Sequence, residues 1–162
     1  TPLDAALFAI MAGAILILWL ANIGLLAALF RQRFADPAWG WALRLGLLTT
    51  ILGAAVGGVM TRPTPTQLQS LRRGEPVQVI GSHTVGAPDG GPGVRGLGWS
   101  SRHGDLRVPH FFGLHGIQIV PLFAWLLGRR RAPAGIFAFA GGYLLLIALL
   151  TWQALSGRPV WG

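Results

Sequence analysis

The sequence contains no cysteine and no lysine, and only five of its 162 residues are acidic. Without cysteine this chain can form no disulfide, thiolate metal site, iron–sulfur cluster or covalently attached c-type haem. Without lysine it offers no Schiff base for retinal or pyridoxal phosphate, and no lysine base. Charge of either sign is scarce: 11% of residues are charged, where soluble proteins carry about a quarter. A metal or cofactor would have to be held by histidine, carboxylate, amide or main-chain groups.

What is present is mostly apolar. Hydrophobic residues make up 52% of the chain, and the formal net charge is +8. All 13 basic residues are arginines. They lie at the ends of apolar runs rather than in one patch, as membrane topology and headgroup contact would place them. No nucleic-acid partner is expected.

Four stretches are long and apolar enough to cross about 30 Å of hydrocarbon, which takes roughly 20 helical residues. They are Leu7 to Phe30, Trp41 to Met60, Val108 to Leu127 and Ala134 to Leu155. Lipid cannot satisfy free backbone groups, so each reads as a helix. The first reads as a span rather than a signal peptide, because no basic segment precedes it and the run is too long. The expected fold is an all-α, four-helix transmembrane bundle forming a single integral membrane domain over 1–162. A long glycine-rich loop, 61–107, joins helices two and three.

The two short connections carry Arg31 and Arg33, with Arg44 just beyond, and Arg129, Arg130 and Arg131. The positive-inside rule makes that side cytoplasmic and puts both termini and the long loop outside. The expected location is a bacterial-type inner membrane. The lipid bilayer is the first expected partner, and other membrane subunits or further copies of the chain the next. Trp39, Trp41, Trp152 and Trp161 suit interfacial belts.

Inside the loop, Thr64-Pro65-Thr66-Gln67 has the form of a capping box with proline at the first helical position. Gly74 supplies the stop. The spacing predicts a short helix on the membrane surface with Leu68 and Leu71 on one face. Pro76 to Ile80 alternates like a brief strand. From Gly81 to Gly104, eight of 24 residues are glycine, yet His83, Asp89, Arg95, Trp99, Arg102 and His103 are interspersed. A folded cap is expected there rather than a tether.

The chemistry-bearing segment runs from Asp105-Leu106-Arg107-Val108-Pro109-His110 through His115 and Gln118 to Pro121. On one continuous helix, His110, Gln118, His115, Leu122 and Trp125 fall within a single arc. The two histidines are then about 7.5 Å apart along the axis. Pro121 cannot donate to the Ile117 carbonyl, which predicts a kink beside Gln118. Polar groups inside a span are costly and mark functional sites. The same residues also have a purely structural reading: His110 at headgroup depth, His115 bonded to a neighbouring carbonyl, Asp105 as helix cap.

Two ligand classes follow. A haem or chlorophyll-type macrocycle would take His110 or His115 axially, with Gln118 and Trp125 beside it and Arg102 and Arg107 pairing with propionates. Histidines five apart on one helix cannot grip both faces of a porphyrin. A bis-histidine site would therefore recruit His83, His103 or a second protomer. A divalent metal would instead gather His110 and His115 with His103, His83, Asp89 or Asp105 as further ligands, though the spacing matches no zinc signature.

Other motifs fail on context. Gly91-Pro92-Gly93-Val94-Arg95-Gly96 has dinucleotide-loop spacing, but no strand enters it and no helix leaves it. Gly98-Trp99-Ser100-Ser101-Arg102 lacks the last glycine of a nucleophile elbow. Gly53 and Gly57, and also Gly141 and Gly142, suit close helix packing. Asn22 and Thr49 or Thr50 suit bonds between helices. The functional expectation is a cofactor-binding protein of membrane electron transfer or energy transduction. The alternative is a non-catalytic subunit of a larger assembly. An enzyme acting on a lipid-phase substrate, with His110 or His115 as base, is the weakest of the three.

Overall fold

The computed structural model describes residues 2–77, 79–128 and 132–161. Arg129, Arg130 and Arg131, expected in a cytoplasmic connection, lie outside the described residues. Six helices and one two-stranded pair are present among them: α1 (Pro2–Arg31), α2 (Pro37–Met60), α3 (Pro65–Arg72), β1 (Thr84–Val85), β2 (Gly104–Asp105), α4 (Arg107–Leu114), α5 (Gly116–Leu126) and α6 (Pro133–Leu155). The strands are antiparallel, Thr84 opposite Asp105. The chain forms two compact units, Thr1–Ile51 with Gly116–Ala140, and Leu52–His115 with Gly141–Gly162.

Three helices, α1, α2 and α6, are long and apolar enough to cross a membrane, with mean hydropathies of 2.3, 1.7 and 2.1. They extend the predicted runs mainly at their N-terminal ends. The expected third span differs. It is broken at His115 into α4 and α5, of 8 and 11 residues. The break lies well before Pro121, which sits inside α5, so the kink expected beside Gln118 is displaced toward the N-terminus.

In the first unit, Asp36 opens α2 by accepting the Trp39 amide at 3.1 Å, with Pro37 behind it. Arg44 reaches back to the end of α1. Its Nε donates to the Leu29 carbonyl at 3.0 Å and its Nη2 to that of Gln32 at 2.7 Å. Its guanidinium also lies over Phe30, Phe34 and Trp41. This arginine is thus committed to closing the α1–α2 turn. Among the described side chains of α1, only Trp19, Asn22, Leu26 and Leu29 are even half-buried, one helical stripe. Trp19 Nε1 donates to the Ile51 carbonyl.

The break before α5 has a visible cause on its C-terminal side. The Ile117 amide leaves the helical ladder and donates to Thr50 Oγ1 at 2.9 Å. Gly46 lets the backbone at Gly116 approach closely. Of the polar residues expected to bond between helices, Thr50 does so. Asn22 bonds its own helix at Leu18, and Thr49 bonds its own at Leu45.

In the second unit, α2 and α4 touch at Gly53 and Gly113. A Cβ on either would fall on the backbone of the other. Gly57 meets the His110 ring in the same way, so the predicted Gly53/Gly57 face is used. Gly141 and Gly142 are not: they are exposed and have open space around them. The capping box on α3 forms with both of its bonds, and Gly74 follows at φ +72°. No strand forms at Pro76 to Ile80 among the described residues. The pairing falls instead at Thr84–Val85 with Gly104–Asp105.

Candidate functional site

The histidine segment occupies α4 and its end. The His110 imidazole lies against Gly57, where a side chain would collide with it. Its Nδ1 is 2.8 Å from the Gly53 carbonyl oxygen. His115 ends α4, and its Nδ1 is 2.7 Å from the Phe111 carbonyl oxygen. The His115 ring also packs on that of Phe111 at 4.3 Å. A carbonyl oxygen can only accept, so Nδ1 carries the proton in both residues. Nε2 is therefore the lone-pair nitrogen when either ring is neutral, and it has no hydrogen-bond partner among the described residues. Histidine ligands are oriented in this way in metal sites, with the second nitrogen donating to a carbonyl.

The remaining expected residues are distributed otherwise. Gln118 and Trp125 are exposed on α5, in the first unit. The helical arc that joined them to His110 assumed a continuous helix, and the break at His115 interrupts its phase. Arg102 is exposed and His103 half-buried. The His103 amide, not its ring, donates to Ser100 Oγ at 3.1 Å, so no serine–imidazole pair forms there. Among the described residues, no three histidine or acidic side chains gather into a group able to hold a metal ion.

The loop builds a different polar cluster. Asp105 is buried at 1% exposure. Its carboxylate accepts from the amides of Ser100 at 2.7 Å and Arg107 at 3.0 Å. It also accepts from Arg107 Nε at 3.0 Å and Nη2 at 2.7 Å. Thus it meets the first amide of α4, as the cap reading expected, although Leu106 is the cap position. Arg107 donates further to the Gly98 carbonyl, so the side chain expected to pair with propionates is committed to the loop.

Asp89 accepts from Ser82 Oγ and the Thr84 amide, both at 2.8 Å. His83 Nδ1 stands 3.4 Å from Asp89 and 3.9 Å from Asp105. Ser82 and Thr84 were not singled out in the sequence, and Ser100 entered it only as the serine of the rejected nucleophile elbow. Their only signal there is proximity to aspartates in a glycine-rich loop.

The electrostatics follow from these bonds. Burial alone would raise the Asp105 carboxyl, but the Arg107 side chain and the Ser100 and Arg107 amides outweigh it, so it lies below the ordinary carboxylate value. Burial likewise opposes Asp89, where bonds from Thr84, Ser82 and the His83 amide prevail and lower it. The hydrogen bond to Asp105 raises Arg107, against its partial burial. A cavity of about 110 Å³ lies beside His83, Thr84, Gly98, Ser100 and Arg107. That is well below the several hundred Å³ of drug-sized ligand sites, so a macrocycle does not fit there.

Aromatic rings close the unit: Trp99, 8% exposed, stacks on Trp161 at 5.8 Å and meets Phe111 and Phe112 edge-on or tilted. Of the tryptophans expected in interfacial belts, Trp161 is thus also a packing residue. No known protein family, curated protein or solved structure matches the chain.

Proposed function

We propose that the chain is a single-domain, four-span inner-membrane protein of bacterial type in which residues 108–127 form a broken third crossing. In this reading the termini and residues 61–107 lie outside, and the arginine-rich short connections are cytoplasmic. An imidazole of the broken crossing binds a metal-centred macrocycle of haem or chlorophyll type, in a membrane electron-transfer or energy-transducing setting. The protein binds and orients the group and performs no catalysis of its own.

The observation that carries this reading is His115. It ends α4 half-exposed, its Nδ1–H is committed to the Phe111 carbonyl, and its Nε2 is left with a lone pair. A lone-pair nitrogen facing hydrocarbon without a partner is costly, and ligation removes that cost. His110 offers the same tautomer five residues earlier, and Arg102, unlike Arg107, is exposed and is the arginine this reading assigns to an acidic edge of the ligand. The absorption spectrum and metal content of protein purified in mild detergent test the reading. A Soret or chlorophyll band that is lost in His115→Ala or His110→Ala supports it. A colourless, metal-free protein overturns it.

A second reading, a non-catalytic subunit of a larger membrane assembly, is favoured by α1. None of the apolar window in Leu3–Arg31 is buried within the chain, so a large surface is left for lipid or neighbouring subunits. Migration as a lone monomer after mild solubilisation would count against it.

A further inference from the structure

We propose that residues 61–77 and 79–81 form a docking surface for the headgroups of anionic phospholipid, with α3 lying in the plane of the bilayer surface. The proposal rests on α2 crossing the membrane, as in the reading above, and on no other part of it.

The segment is a closed loop. The chain leaves α2 at Met60, runs through α3, and returns so that the Ser82 amide donates to the Met60 carbonyl at 2.9 Å. The Gln67 side chain of α3 clamps Gly81 from both sides: Nε2 donates to its carbonyl at 2.9 Å, and its amide donates to Oε1 at 3.0 Å. Gly81, at φ +91°, lies directly against the Met60 carbonyl. These bonds hold α3 at the end of α2. If α2 spans the bilayer, α3 sits where hydrocarbon gives way to headgroups.

The composition of the loop suits that depth. Leu68, Leu71, Val79 and Ile80 are exposed, at 42%, 44%, 69% and 44%. On α3 the two leucines are 60° apart at 100° per residue, while Thr66 lies on the opposite side. Such an apolar surface is unfavourable in water and stable at the acyl boundary. Arg62, Arg72 and Arg73 are exposed beside it. Glu75, the single acid between Met60 and Gly81, pairs with Arg73 at 3.1 Å. Net positive charge next to an apolar face selects anionic over zwitterionic lipid.

The absence of cysteine makes the test direct, since one introduced cysteine is the only labelling site. The full chain carrying Leu68→Cys or Thr66→Cys is spin-labelled in lipid nanodiscs of phosphatidylcholine, with and without phosphatidylglycerol. Collisions with oxygen and with a water-soluble nickel chelate are then compared. The expected result is a label at 68 that meets oxygen in preference to nickel and a label at 66 that does the reverse. Phosphatidylglycerol should deepen the label at 68. The phosphatidylglycerol recovered around the protein should fall about twofold or more in R62Q/R72Q/R73Q, each arginine near the surface being an attraction for anionic lipid.

Equal nickel access at 68 and 66 overturns the proposal. So does a label at 68 shielded from both agents, which signifies a protein partner, and so does an oxygen preference indifferent to lipid charge and to the arginines. Failure of the whole protein to enter nanodiscs is a separate result and overturns the membrane crossing of α2 itself.

Discussion

Around Asp105 the loop is held by polar groups placed together: a buried carboxylate, a guanidinium and two amides satisfy one another. Where α2 meets α4, contact depends on side chains that are missing, since Gly53 and Gly113 bring two backbones together. Both regions belong to the same unit. One relies on charge and is open to pH and salt, while the other relies on shape and is open only to added volume. A protein with so few ionisable groups has spent two of its five acids, Asp89 and Asp105, on ordering one loop.

The largest expected effect comes from breaking the polar region. Asp105→Ala removes the acceptor of two amides and of Arg107. Because the Arg107 side chain is 34% exposed and water can solvate it, the loss should be about 3–4 kcal/mol, the lower half of the scale for removing one member of a buried pair. Urea or SDS unfolding in detergent measures it, and a loss below about 1 kcal/mol would mean that the loop is held by other contacts. Gly53→Val attacks the seam instead. Overpacking of this kind costs about 1–3 kcal/mol, and the upper end is expected because the obstacle is backbone. The polar loop should survive it, visible as unchanged hydrogen-exchange protection at the Thr84 and Ser100 amides.

Acid separates the two regions without mutation. Asp89 and Asp105 both have folded values below the ordinary carboxylate value of about 3.9. Their stabilisation is therefore fully present above that pH and is lost as pH falls through the lowered folded values. Exchange at the Thr84 and Ser100 amides should be constant from pH 7 to about 5, after correction for intrinsic rates, and accelerate below about 4. Protection along α2 should not follow it. The smallest effect is expected at Gly141→Ala, where the space is open. Stability should stay unchanged or rise by up to about 1 kcal/mol through helix propensity, and a marked loss would reveal a partner pressed against α6.

Much of this architecture is legible in the residues. The apolar runs mark α1, α2 and α6 because crossing hydrocarbon is a property of a local stretch, whatever the rest of the chain does. Thr64, Pro65, Gln67 and Gly74 mark α3 to the residue, since a cap is satisfied within one turn. Less is legible at the candidate site. His110 and His115 stand out as polar residues in an apolar run, but their bonding partners do not. Gly53 and Phe111 accept through the main chain, which carries no sequence signature. The alternation at Pro76 to Ile80 misleads because a strand needs a partner, and the chain instead folds back through Gly81 to the end of α2.

The sequence by itself determined where the main helices run, that three of them are long and apolar enough to cross a membrane, and that any metal must be met by imidazole, carboxylate, amide or backbone groups. Tertiary structure alone decided that the run after Arg107 breaks at His115, because the Ile117 amide finds Thr50 Oγ1, 67 residues away in sequence. It also decided which glycines are contacts and which are open, and that Arg107 belongs to Asp105. The physical reason is one of range: apolar transfer and capping are settled within a turn or a span, whereas hydrogen-bond exchange and backbone contact depend on what folding brings alongside.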